Sequence, residues 1–138
     1  MAKCRRGARS AGARPRSSHH RPFESLVQFA LSSIPEPFAS ALDEVAVVID
    51  DEPTAEQRRE NEIGDDDTLY GLYEGVPRTE YGADWAAMPN RITLFRLPLE
   101  EDYPDPDQLA DEVRATVIHE LAHHMGIDDD RLGELGVY

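Results

Sequence analysis

One helix near the C-terminus narrows the choice of fold more than any other feature, because both of its ends are marked and it has two distinct faces. Asp105 can cap it, Pro106 suits its first position, Gln108 stands where a capping box places it, and Gly126 ends it. On the helical wheel, Val117, Ile118, Leu121 and Met125 form one apolar stripe that would pack on a sheet. His119 and His123 fall together on a different flank. Imidazoles four residues apart lie one turn apart, so both can reach a common tetrahedral cation at about 2.0–2.1 Å. Glu120 projects one residue round from His119, close enough to act as general base on a metal-polarised water without being a ligand. The bland alternative is a pair of ordinary core or surface histidines. At average composition, the five-residue motif with its added glycine and aspartate is too rare to favour that alternative.

Two imidazoles leave zinc short of protein ligands, since catalytic sites usually supply three and keep the fourth position for water. In an unbroken helix Asp130 would share the histidine face, but at 1.5 Å rise per residue it would lie about 10 Å beyond His123. Gly126 adopts left-handed angles freely and lets the chain double back, so one of Asp128, Asp129 and Asp130 can complete the site. Those not used are expected in solvent or behind an imidazole N–H. His124 points roughly 100° away from His123, which suits a surface or supporting position better than ligation.

Upstream, Phe23, Leu26, Val27 and Ala30 have helical spacing, and Pro35 and Pro37 stop that helix. The β-branched run Glu44–Ile49 predicts a largely buried strand. Thr54 and Gln57 have the form of a capping box, predicting a short exposed helix over 55–62 before Gly64 and Asp65-Asp66-Asp67. Those aspartates lack the spaced ligands and terminal glutamate of an EF-hand, so they read as a solvated loop. Leu69–Tyr73 and Arg91–Leu97 have strand composition; Ile92, Leu94 and Arg96 would share one face of the second, and Thr93, Phe95 and Leu97 the other. Pro77, Gly82 and Pro89 punctuate the stretch between them. These elements give an α+β domain with a sheet of at least three strands and no internal repeat.

A chain of 138 residues fits one domain with one core. Cys4 is the only cysteine, so no intramolecular disulfide forms and a cytoplasmic setting fits. No apolar run reaches the 18 or so residues needed to cross a bilayer. The basic start lacks the apolar segment of a secretory signal, and Arg5-Arg6 does not read as an export signal. Residues 1–22 hold seven of the 14 Lys and Arg and no acid, which leaves seven basic residues against all 28 acids in the remainder. Residues 1–22 are poor in apolar side chains and read as a disordered basic tail, with the folded domain over 23–138. The tail reads as a solvated extension or an over-long start, with a nucleic-acid arm or a targeting segment as the functional alternatives. The acidic body should repel polyanions, which argues against nucleic acid as a partner of the globular surface.

The pattern His119-Glu120-x-x-His123-x-x-Gly126-x-x-Asp129 resembles the extended signature of metzincin-like peptidases, in which the residue three after the glycine is the third ligand. The resemblance therefore implies Asp129 as that ligand. More closely, Val113–Gly136, reading VRATVIHELAHHMGIDDDRLGELG, looks like the signature of the short bacterial zincin-like metallopeptidase family common in actinobacteria. The likeness extends through LDEVAVVIDDEP, LYGLYEGVPRTE and PNRITLFRLPLE, and leaves out the basic tail. It implies a minimal zincin: a small mixed sheet of three to four strands, packed by an N-terminal helix and by a C-terminal zinc-motif helix. The methionine turn of metzincins is missing after the motif, although Met88 could stand in for it; where Gly133 stands, family members often carry a larger or polar residue.

The expected chemistry is zinc-assisted hydrolysis of a peptide or protein substrate, with His119, His123 and Asp129 on the metal and Glu120 as base. Tyr81, Tyr138 and Arg131 are conceivable donors to the developing charge. By analogy with zincins, a peptide could align along an exposed sheet edge, with the Arg91–Leu97 strand as one candidate. The rival expectation is a non-catalytic zinc-binding or regulatory module, for which the short chain speaks.

Overall fold

In the computed structural model, the residues described are 4–8, 20–64, 66–75 and 90–135. They form a four-stranded sheet in the order β1-β3-β4-β2, from Cys4–Ala8 (β1), Ala46–Asp50 (β2), Asp67–Glu74 (β3) and Arg91–Phe95 (β4). β3 runs antiparallel to both β1 and β4, whereas β2 pairs with β4 in parallel, so the sheet is mixed. The helices are His20–Ser32 (α1), Phe38–Ala41 (α2), Ala55–Glu60 (α3), Arg96–Asp102 (α4), Pro106–Met125 (α5) and Asp129–Leu135 (α6), with a 3-10 turn over Leu42–Glu44. The expected α+β architecture is present: α5 packs on one face of a small mixed sheet, and α1 packs against α5.

That face carries the main core. Phe23, Val27 and Ala30 of α1 meet Val113, Val117, Ile118 and Leu121 of α5, with Ile92 and Leu94 of β4 beneath them. Leu69, Leu72 and Phe95 make a smaller cluster together with Ile63. The register against β1 slips between Arg5 and Arg6, which pair with Gly71 and Leu69, so Tyr70 is the extra residue of a bulge. The bulge turns Tyr70 into the main core, where its ring meets Tyr103 edge-on at 5.7 Å and its hydroxyl donates to Asp102. Burial and that carboxylate push the Tyr70 phenol well above its ordinary range.

Gly71 sets the height of α5 above the sheet. A Cβ there would stand 2.5 Å from Thr116 Cγ2. The helix can settle this deeply only because β3 has no side chain at that point.

Several elements depart from the sequence reading. Of the 1–22 segment, expected to be a disordered tail, Cys4–Ala8 form β1 along the edge of β3 and residues 20–22 open α1, while the rest of that segment lies outside the described residues. Strand pairing is made by backbone groups, which composition does not weigh. The Glu44–Ile49 run was expected to be largely buried; as β2 it alternates between exposed and half-buried positions, because among the described strands it lies at the sheet edge with β4 as its one neighbour. β4 stops at Phe95, so Arg96 and Leu97 open α4 instead of continuing the two strand faces. Arg96 is buried there against Asp51 at 3.0 Å and Glu100 at 2.8 Å, and the Leu97 N–H donates to the Asp51 carbonyl at 2.9 Å. Pro98 is tolerated in the first turn of α4, where helical N–H groups have no intrahelical acceptor. The Thr54–Gln57 capping box is formed in full at the start of α3. Arg58 holds the acidic loop behind it by donating to the carbonyls of Gly64 and Asp67.

Candidate metal centre

α5 is built as its sequence suggests at both ends. The Asp105 carboxylate accepts from the Gln108 N–H at 3.0 Å, Pro106 takes the first turn, and Gly126 closes the helix at φ 77°, ψ 24°. Between these ends the environment changes. From Thr116 to Ala122 every residue is buried, so this part of α5 has no solvent face.

His119, Glu120 and His123 come together within this buried stretch. One ligand atom from each of the three lies within 4.8 Å of the other two. The imidazoles meet edge-on, with ring centroids 4.7 Å apart and planes at 71°. His123 Nδ1 stands 3.4 Å from Glu120 Oε1. Glu120 is 0% exposed and His119 6%, whereas His123 keeps a side-chain exposure of 10% and is the cluster's most open member.

The donor set fits a zinc ion. Two imidazoles one helical turn apart are borderline-soft nitrogen ligands of the kind zinc takes, and the adjacent carboxylate supplies charge in a site from which water is largely excluded. Burying such a group of titratable side chains is expensive unless something charged or hydrogen-bonding compensates.

Past Gly126 the chain doubles back, with the Ile127 N–H donating to the Ala122 carbonyl at 2.8 Å. Asp128 Oδ1 accepts from the Arg131 N–H at 2.9 Å and so caps α6, while Leu132 is driven fully into the core. Asp128 and Asp130 are exposed; Asp129 opens α6, and its side chain lies outside the described residues. Among the expected charge donors, Arg131 is exposed and paired with Glu134 at 3.0 Å, whereas Tyr81 and Tyr138 lie outside the described residues, as does Met88, the stand-in for the methionine turn. The Arg91–Leu97 strand does not offer an edge to a peptide, because β4 is paired on both sides by β3 and β2.

Of the two positions expected of His124, the structure excludes the surface one. It is fully buried, with Nε2 2.7 Å from Glu44 Oε1 and Nδ1 3.1 Å from Tyr73 Oη. Both ring nitrogens are thus engaged, which removes His124 from the ligand set. Its partners lie 80 and 51 residues away along the chain, and no local spacing signals them.

The chain belongs to the zincin-like metallopeptidase family, whose sequence profile matches residues 42–137, well over half of its length. The match starts at Leu42, where the first of the resembling segments begins. No curated protein matches the chain. A metallopeptidase family implies a metal, and the His119–Glu120–His123 cluster is a possible place for one. None of the described helices is long and apolar enough to cross a membrane.

Proposed function

We propose that this protein is a zinc-dependent peptidase that hydrolyses an amide bond at the His119–Glu120–His123 cluster. The observation that carries the reading is the convergence of two imidazoles and one fully buried carboxylate within 4.8 Å on a single helical turn. His119 and His123 would hold the metal, with Asp129, on the family signature, as the third holder. Zinc bound there would polarise a substrate carbonyl and make a water easier to deprotonate near neutral pH. Glu120 takes the proton from that water as its oxygen bonds to the carbonyl carbon, and returns it to the amine nitrogen as the C–N bond breaks. Burial of Glu120 strengthens its electrostatic hold on both transferring groups.

A metal site without turnover is the second reading, favoured by the small exposure of the cluster. Replacing Glu120→Gln separates the two. Under the peptidase reading, the variant takes up as much zinc as the wild type and loses cleavage of a peptide library by about 100-fold or more. Equal behaviour of the two proteins against the library would reject the catalytic reading while leaving the metal site standing.

A further inference from the structure

His123 and His124 are adjacent on the last turn of α5 and do opposite things. One ring faces His119 and Glu120; the other is buried among groups of the sheet. The sheet-side partners come from separate segments that meet at one end of the sheet. Glu44 closes the 3-10 turn before β2, and Tyr73 lies near the end of β3. The Tyr73 hydroxyl also donates to Asn90 Oδ1 at 3.1 Å, just before β4 begins. The Ala46 N–H donates to the Asn90 carbonyl at 3.0 Å, which ties the start of β2 to the same point. The ring of Tyr73 also lies against that of His124, with centroids 5.7 Å apart.

We infer that the Glu44–His124–Tyr73 chain is a positioning device for the metal site: it fixes the rotation of the last turn of α5, and thereby the direction of the His123 imidazole. The inference rests on the metal reading given above. An imidazole tip lies roughly 6 Å from its helix axis, so about 10° of rotation moves it by about 1 Å. A zinc–nitrogen bond tolerates only about 0.2 Å of displacement. The apolar stripe of α5 cannot supply this angular control, because hydrophobic packing is non-directional. Hydrogen bonds at both nitrogens of a buried ring can, since they fix its plane as well as its position. Glu44 reaches solvent at the far end of the chain, with 39% of its side chain exposed, so it can be altered without opening a cavity in the core.

The test measures zinc affinity by chelator competition, together with the visible absorption of the cobalt-loaded protein, which reports ligand geometry directly. Wild type is compared with Glu44→Ala, Glu44→Gln and Tyr73→Phe. Glu44→Ala is expected to weaken zinc binding about tenfold and to shift the cobalt bands, and Tyr73→Phe to act in the same direction. Glu44→Gln keeps an acceptor for the Nε2–H and should recover most of both losses. In the metal-free protein, amides of the last α5 turn should exchange faster in Glu44→Ala while the melting temperature stays near that of the wild type. A merely structural contact would lower the melting temperature and leave the cobalt bands unmoved. Unchanged affinity and spectrum in both Glu44→Ala and Tyr73→Phe would overturn the inference while the metal reading survived. A wild type that takes up neither ion would sink both.

Discussion

The two halves of α5 share one backbone geometry and depend on different kinds of neighbour. Its first half is organised by residues close in sequence: the Asp105 cap, Pro106, and an outward face on which Arg114 pairs with Asp111 at 3.3 Å. Its second half is buried on all sides from Thr116 to Ala122, and its conformation depends on partners far away, namely Gly71 beneath Thr116 and Glu44 and Tyr73 around His124. The first half shows how a helix starts. The second shows what is needed to hold two imidazoles and a carboxylate inside a small protein, where local propensity has little to say about orientation.

The contrast predicts a graded set of effects. The largest belongs to the metal cluster: His123→Ala should lower zinc affinity by more than about 100-fold, beyond the range expected of groups that only support a ligand, as chelator competition would show. Asp129→Asn should weaken zinc binding more than Asp128→Asn or Asp130→Asn does; equal effects across the three would remove Asp129 as third holder. Next comes Gly71→Ala, which forces Thr116 and α5 away from β3. Overpacking of this kind costs about 1–3 kcal/mol, visible as a melting temperature lowered by several degrees, with zinc affinity reduced as well because the motif turn is lifted. Asp105→Ala should cost about 1 kcal/mol of stability and leave zinc affinity unchanged, since it touches the self-sufficient half. If it weakened zinc binding as strongly as Gly71→Ala, the division between the halves would be wrong.

The smallest effect concerns pH. The Tyr70 phenol is pushed upward by burial first and by Asp102 second, so the folded state holds that proton more tightly than the unfolded chain does. Its contribution to stability is complete below about 10, the ordinary tyrosine value, and is lost as pH rises above it. Denaturation followed between neutral and strongly alkaline pH should therefore show a decline that Tyr70→Phe flattens.

How much of this was legible in the sequence follows the same division. The caps of α3 and α5, the helical spacing of α1 and the pairing of His119 with His123 are local patterns, and residue spacing alone exposes them. The edge position of β2, the close approach at Gly71 and the burial of His124 depend on which segments meet in space. In α4, the helix begins directly where the β4 composition ends, so Arg96 looks like a strand residue until its pairing with Asp51 and Glu100 is seen. β1 was hidden for another reason: its place in the sheet comes from backbone pairing with β3, to which an Arg-rich composition gives no clue.

The central claim is that this chain holds one metal ion between His119 and His123. The direct measurement is the metal content of purified protein after incubation with zinc and removal of excess, for the wild type and for a variant carrying both His119→Ala and His123→Ala. The account predicts about one zinc per wild-type chain and close to none in the variant. A wild type without zinc, or a variant retaining as much as the wild type, would contradict it.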